Sequence, residues 1–121
     1  MRRAEAQVKL LVSWKPKPKN FYQRRLHLLA LLLLDTGARI TEALTLRVTD
    51  VDMDNMLITL DGKGRKQRII PFSFALRKAL HRFIADFRRK PRSLLIATWQ
   101  DTPVRRITVL RSIKLLCEQL G

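Results

Sequence analysis

Residues 26–34 read LHLLALLLL, and no other stretch limits the possible folds as tightly. A helix carrying this run is apolar on nearly every side, so it holds in water only as the central helix of a core. The run is too short to span a bilayer, which takes roughly 20 apolar residues. The pattern predicts a helix over residues 21–35, polar at its QRR start. Gly37 suits the left-handed residue that closes such a helix.

The segments around it supply amphipathic partners. Residues 3–14 carry Ala4, Val8, Leu11 and Val12 at helical spacing and end at KPKPKN, where two prolines forbid a helix. Thr41 is placed to cap a short third helix carrying Ala43 and Leu44. VTDVDMDN breaks the helical pattern, and MLITL and RIIPF then form short β-rich runs around DGKGRKQ. Those runs predict a β-hairpin with a longer, basic tip. A fourth helix over 73–89 sets Leu76, Leu80, Phe83, Ile84 and Phe87 on one face. LLIAT reads as a brief strand or an extended link. A last helix over 104–120 groups Val109, Ile113, Leu116 and Leu120, with Gly121 as its stop signal. The expected fold is mainly α (α+β): a helical bundle with one small antiparallel β-hairpin or sheet, in one domain over residues 1–121.

Charge narrows the partners. Twenty-five Lys and Arg against ten Asp and Glu give a formal net charge of +15. That surplus favours polyanions, nucleic acid first and an anionic membrane surface second, unless it is merely a solvated basic surface. The single cysteine, Cys117, excludes an internal disulfide framework and reads as an inert core thiol. His27 and His81 stand without clustered cysteines, so neither a metal site nor a cofactor is expected. The first residues carry no secretory pattern, and the expected location is the cytoplasm, off the membrane.

Two features carry chemistry. Arg39 follows a glycine corner between two helices, where its planar fork of donors and nearby helix N–H groups suit a phosphate. Equally, it can form a structural salt bridge with Glu42 or Asp35. The second feature is GKGRKQR, which crowds Lys63, Arg65, Lys66 and Arg68 onto a flexible turn able to follow a nucleic-acid backbone. Basic hairpin tips also serve solubility alone. The turn is not a P-loop, since GxxxxGK[ST] is absent and a strand follows.

The two features in order, within LLLLDTGARITEALTLRVTDVDMDNMLITLDGKGRKQRIIPF, resemble the tyrosine recombinases, or phage integrase family. That family's pattern is a leucine-rich helix, TGxRxxEL, a strand, GKGxKxRxxP and a helix. The match runs over about 28–71 and continues more loosely to LCEQLG. The resemblance implies the fold of the N-terminal part of that catalytic domain. It implies that Arg39 clamps the scissile phosphate, that Glu42 supports it, and that Lys63 is the general acid toward the leaving 5′-hydroxyl. Arg65, Lys66 and Arg68 would be DNA-binding.

The departures matter as much. The family's nucleophilic tyrosine lies near the C-terminus of the domain, whereas the one tyrosine here, Tyr22, precedes Arg39. The His-x-x-Arg box is missing, since neither HLLA nor HRFI contains it. The N-terminal clamp domain and the C-terminal region with the box and tyrosine are expected to be absent. The implied function is the duplex-DNA-binding part of an integrase, with no nucleophile and no cleavage by this chain alone. A stand-alone DNA-binding regulator or decoy, or a basic RNA-binding protein, are the alternatives. A homodimer is expected through core left uncovered.

Overall fold

A computed structural model describes residues 10, 13–61, 66–87 and 89–120. Most of the helix expected over 3–14, and the GKGR tip with Lys63 and Arg65, lie outside the described residues.

Helix α1 spans Phe21–Thr36. It starts where the Asn20 side chain accepts the Gln23 N–H at 3.0 Å, and it ends where Gly37 adopts φ 70° and donates its N–H to the Leu33 carbonyl at 3.0 Å. The leucine run is buried on one side: Leu28, Leu29, Ala30 and Leu32 are covered, Leu32 fully, while Leu31 and Leu33 are half-buried and Leu34 is exposed, so α1 lines the core rather than being enclosed by it. Fully burying one such side chain contributes about 1.5–3 kcal/mol, so this helix supplies a large share of the apolar burial in the core.

Helix α2 is a single short turn, Ile40–Leu44, followed by a 3-10 turn at Val48–Asp50. The three strands β1 (Val51–Asp52), β2 (Leu57–Asp61) and β3 (Gln67–Pro71) form one antiparallel sheet in the order β1-β2-β3. β2 alternates, with Ile58 and Leu60 inward and fully buried. The β2–β3 register sets Leu60 opposite Arg68 and Asp61 opposite Gln67. Helix α3, Phe74–Asp86, is capped by Ser73, whose Oγ accepts the Leu76 N–H at 3.3 Å. Its Leu76, Leu80 and Phe83 pack against α1. Helix α4, Arg106–Leu120, closes the core with Val109 and Ile113.

Four expectations need correction. Arg39, not Thr41, is the residue that caps α2; the buried Glu42 carboxylate takes the Arg39 N–H and fixes the start two residues early. The aspartate-rich segment does more than break the helical pattern: it adds β1 to the expected hairpin of β2 and β3 as a third strand. α3 ends at Asp86 rather than residue 89, since Arg89 turns inward to the Leu94 carbonyl at 2.6 Å and to Asp101 at 2.7 Å. Cys117 is half-buried at the margin of the core, not inside it; burial still pushes its thiol pKa up.

LLIAT resolves as an extended link: the Leu95 N–H reaches the Leu46 carbonyl at 2.8 Å and Leu94 bridges to Arg47. Together these elements give the mainly helical bundle with one small antiparallel sheet that the pattern predicts. No helix among the described residues is long and apolar enough to cross a membrane.

Candidate functional site

The end of α1 and the start of α2 meet at a corner built almost entirely by local hydrogen bonds. The Thr36 hydroxyl donates to the Leu32 carbonyl at 2.7 Å and accepts the Ala38 N–H at 3.2 Å. Gly37 supplies the left-handed turn, and Ala38 is buried behind it. Asp35 leaves the corner altogether: its Oδ2 accepts the Ser73 N–H at 2.7 Å, tying α1 to the start of α3. Arg39 then points outward in extended backbone geometry, φ −78° and ψ 152°. Its guanidinium is exposed and has no hydrogen-bond or ion-pair partner among the described residues. The structural salt bridge to Glu42 or Asp35 that the sequence left open is not formed.

Glu42 serves two other partners. Its Oε1 accepts the Arg39 backbone N–H at 2.9 Å, and both its oxygens accept from Nη2 of Arg68 at 2.8 Å. The Arg39 N–H, then the Arg68 hydrogen bond and charge, hold the Glu42 carboxyl below its ordinary pKa, outweighing desolvation. Glu42 is therefore a carboxylate at neutral pH, and it is 8% exposed.

Arg39, Thr41 and Thr45 line one side of an open cleft of about 730 Å³, and Asp61, Lys66, Gln67 and Arg68 line the other, with Glu42 joining the two. The cleft thus gathers Arg39, Glu42, Lys66 and Arg68 from the expected site. Lys63 and Arg65 fall outside the described residues. Sequence reasoning assigned none of Thr41, Thr45, Asp61 and Gln67 to the site. The two threonines sit four apart on one helical turn, the spacing that places side chains on a common face. An exposed fork of guanidinium donors beside hydroxyls and an ammonium can hold an anion with non-bridging oxygens.

Tyr22 lies elsewhere. It stands in the first turn of α1, 58% exposed, edge-on to Phe21 and beneath the Arg25 guanidinium. The helical rise over the rest of α1 puts its backbone roughly 20 Å from the corner. A second groove, of about 390 Å³, runs between α1 and α4, with Trp14, Leu26, Leu29, Val109, Leu115 and Leu116 in its walls. Its lining is mostly apolar, unlike that of the cleft. Among the described residues no three His, Cys, Asp or Glu side chains gather closely enough to hold a metal ion.

Residues 3–121 match the sequence profile of the phage integrase family. Tyrosine recombinase XerC of Anoxybacillus flavithermus is 39% identical over 59 residues, 49% of this chain and 20% of that protein. XerC of Mycobacterium bovis is 43% identical over 58 residues, 48% of this chain and again 20% of the relative. The matched region is thus a fifth of the length of these curated relatives. Among solved structures, XerA recombinase superposes with a TM-score of 0.75 at 22% identity, covering 97% of this chain and 41% of the other. XerH bound to its difH substrate in a pre-cleavage complex gives 0.70 at 19% identity, with 96% and 36% covered.

Proposed function

The chain belongs to the phage integrase family, and we propose that it forms the phosphate-gripping part of a tyrosine-recombinase catalytic domain, binding duplex DNA without cutting it alone. The observation that carries this reading is the exposed Arg39 guanidinium, without a hydrogen bond or ion pair among the described residues, sharing one cleft with Lys66 at the base of the hairpin. Phosphoryl transfer spreads negative charge over non-bridging oxygens, and a guanidinium fixed at that point stabilises it without reorganising. Gly37 and the Glu42 cap fix the Arg39 backbone before DNA arrives, so binding spends little entropy on the corner. Lys63 and Arg65, which lie between β2 and β3 in sequence, would follow the same strand, and by the family resemblance Lys63 would be the general acid toward the leaving 5′-hydroxyl.

The distance of Tyr22 from the corner supports a binding role over a cleaving one. A covalent link to DNA needs the nucleophile in line with the phosphate that Arg39 holds, and Tyr22 sits at the other end of α1. A second reading, a stand-alone DNA-binding regulator or decoy, shares this chemistry and differs from the first only in its context. Both readings predict no covalent protein–DNA adduct when supercoiled DNA is incubated with this chain; an adduct would overturn both.

The main test is duplex binding against salt. With about four basic groups on phosphates, log affinity falls with log salt at a slope near −3.6. Arg39→Ala should weaken binding and take about 0.9 off that slope. An unchanged slope and affinity would remove Arg39 from the interface. Competition with RNA of equal length should leave duplex DNA preferred, since no aromatic ring among the described residues lines the cleft to stack an unpaired base; RNA winning would refute the DNA assignment.

The same reading extends to assembly and place. The groove between α1 and α4, with Leu110, Leu115 and Leu120 exposed along α4, would be covered by a second copy as a homodimer. A basic DNA-binding chain of this kind would work in the cytoplasm.

A further inference from the structure

Arg68 was expected among the residues that touch DNA, and its side chain is 51% exposed at the rim of the cleft. Its hydrogen bonds tell a different story. Nη2 donates to both oxygens of Glu42 at 2.8 Å, across 26 residues of sequence. The same Glu42 Oε1 accepts the Arg39 N–H at 2.9 Å. One buried carboxylate therefore receives the backbone of the corner and the side chain of β3 together.

Both ends of this bridge are already held. Arg68 is paired in register with Leu60, which is fully buried. Glu42 is buried on α2 between Arg39 and Ala43. A bond between two fixed groups loses little conformational entropy, and a charge-assisted one at this length is among the strong ones. Glu42 already holds Nη2 of Arg68 and fixes the direction in which that guanidinium faces, whereas no hydrogen bond among the described residues holds the Arg39 guanidinium.

We infer that Arg68 is a positioning residue: through Glu42 it locks β3 to the Arg39 corner, so that the two walls of the cleft present their cations as one unit. This rests on the reading that Arg39 grips a DNA phosphate.

The test compares duplex-DNA affinity and its salt slope for Glu42→Gln, Arg68→Met and Arg39→Ala, singly and with each of the first two combined with the third. Glu42→Gln keeps a carbonyl able to accept the Arg39 N–H but removes the negative charge. If Glu42 merely neutralised the cleft, that change would raise DNA affinity. Positioning predicts the opposite, a loss of about tenfold, the scale of one charge-assisted hydrogen bond. Arg68→Met should weaken binding to a similar extent while moving the salt slope by less than about half of the 0.9 that one lost phosphate contact removes. In the Arg39→Ala background both changes should become nearly silent, because the group they position is gone.

Tighter binding by Glu42→Gln, or a full contact's loss of slope for Arg68→Met that persists without Arg39, would overturn the inference while leaving the Arg39 assignment intact. An Arg39→Ala protein that binds like the parent would instead sink the underlying reading. Thermal melting accompanies each variant. Should Glu42→Gln not fold, Arg68→Met decides alone, since its retained stem preserves the packing of a half-exposed position.

Discussion

Replacing Gly37 by alanine tests the corner at its narrowest point. Gly37 has φ 70°, and a Cβ added there would meet no heavy atom within 4 Å. Steric collision with the rest of the fold therefore contributes nothing, and the whole cost is local backbone geometry. The left-handed region costs an L-residue about 1–2 kcal/mol. Alanine also restricts the unfolded chain, which returns roughly 0.4–1 kcal/mol. The net expectation is a loss of about 1 kcal/mol. With a urea slope of about 2 kcal/mol per molar, the unfolding midpoint should fall by about 0.5 M without a change in slope. Gly37→Asn should cost only a few tenths of a kcal/mol, because asparagine visits this region readily. Equilibrium urea unfolding of the three proteins, followed by far-ultraviolet circular dichroism, measures all of this. Alanine and asparagine equally costly, or alanine costless, would show that backbone handedness at Gly37 is not what closes α1.

Three further outcomes are expected. Asp101→Asn keeps the tolerance for φ 64° but removes the charge facing Arg89, whose side chain is only 8% exposed; with Asp101 itself 45% exposed, the loss should be about 1–2 kcal/mol by urea unfolding. Acid should destabilise the protein in a defined window. The Glu42 carboxyl is depressed chiefly by the Arg39 N–H, and that of Asp101 chiefly by the Ser93 hydroxyl. Their contribution is complete above the unfolded carboxyl values, about 4, and is lost as pH falls through the lower folded values. Urea midpoints from pH 7 to 3 should therefore drop at the acid end, less steeply in Glu42→Gln, and a flat profile would contradict both pairings. Light scattering should report a dimer that Leu115→Glu, at an exposed wall of the α1–α4 groove, converts to monomer; a monomeric parent at all concentrations would refute that assembly.

The elements legible in the sequence were those whose signal is local. The α1 helix, the Gly37 stop and the β-rich run of β2 each follow from short-range periodicity or backbone preference, and each is where the pattern put it. Misreadings arose where a distant partner decided. Thr41 has the better intrinsic capping chemistry, yet Glu42 settles the start of α2 by reaching back to the Arg39 N–H. β1 is two residues long and exists only because β2 lies beside it. α3 stops early because Arg89 finds partners twelve residues on in Asp101 and nearby at Leu94. The site was legible as a set of cations, because Arg39 and Lys66 follow a recognisable order along the chain. Its wiring was not, since the Arg68–Glu42 bond joins positions that no local rule connects.

The position of β3 at the border of the sheet has a practical side. Among the described residues one of its edges faces no other strand, and Ile69 lies 65% exposed between Arg68 and Ile70. Such a border invites the same strand of another molecule to stack along it, and Pro71, which lacks a donor, blunts only one end. Mutual repulsion between chains carrying +15 supplies the remaining guard. Brine strong enough to strip the protein from DNA during purification also screens that repulsion, so precipitation should begin at the hairpin just when the preparation becomes clean.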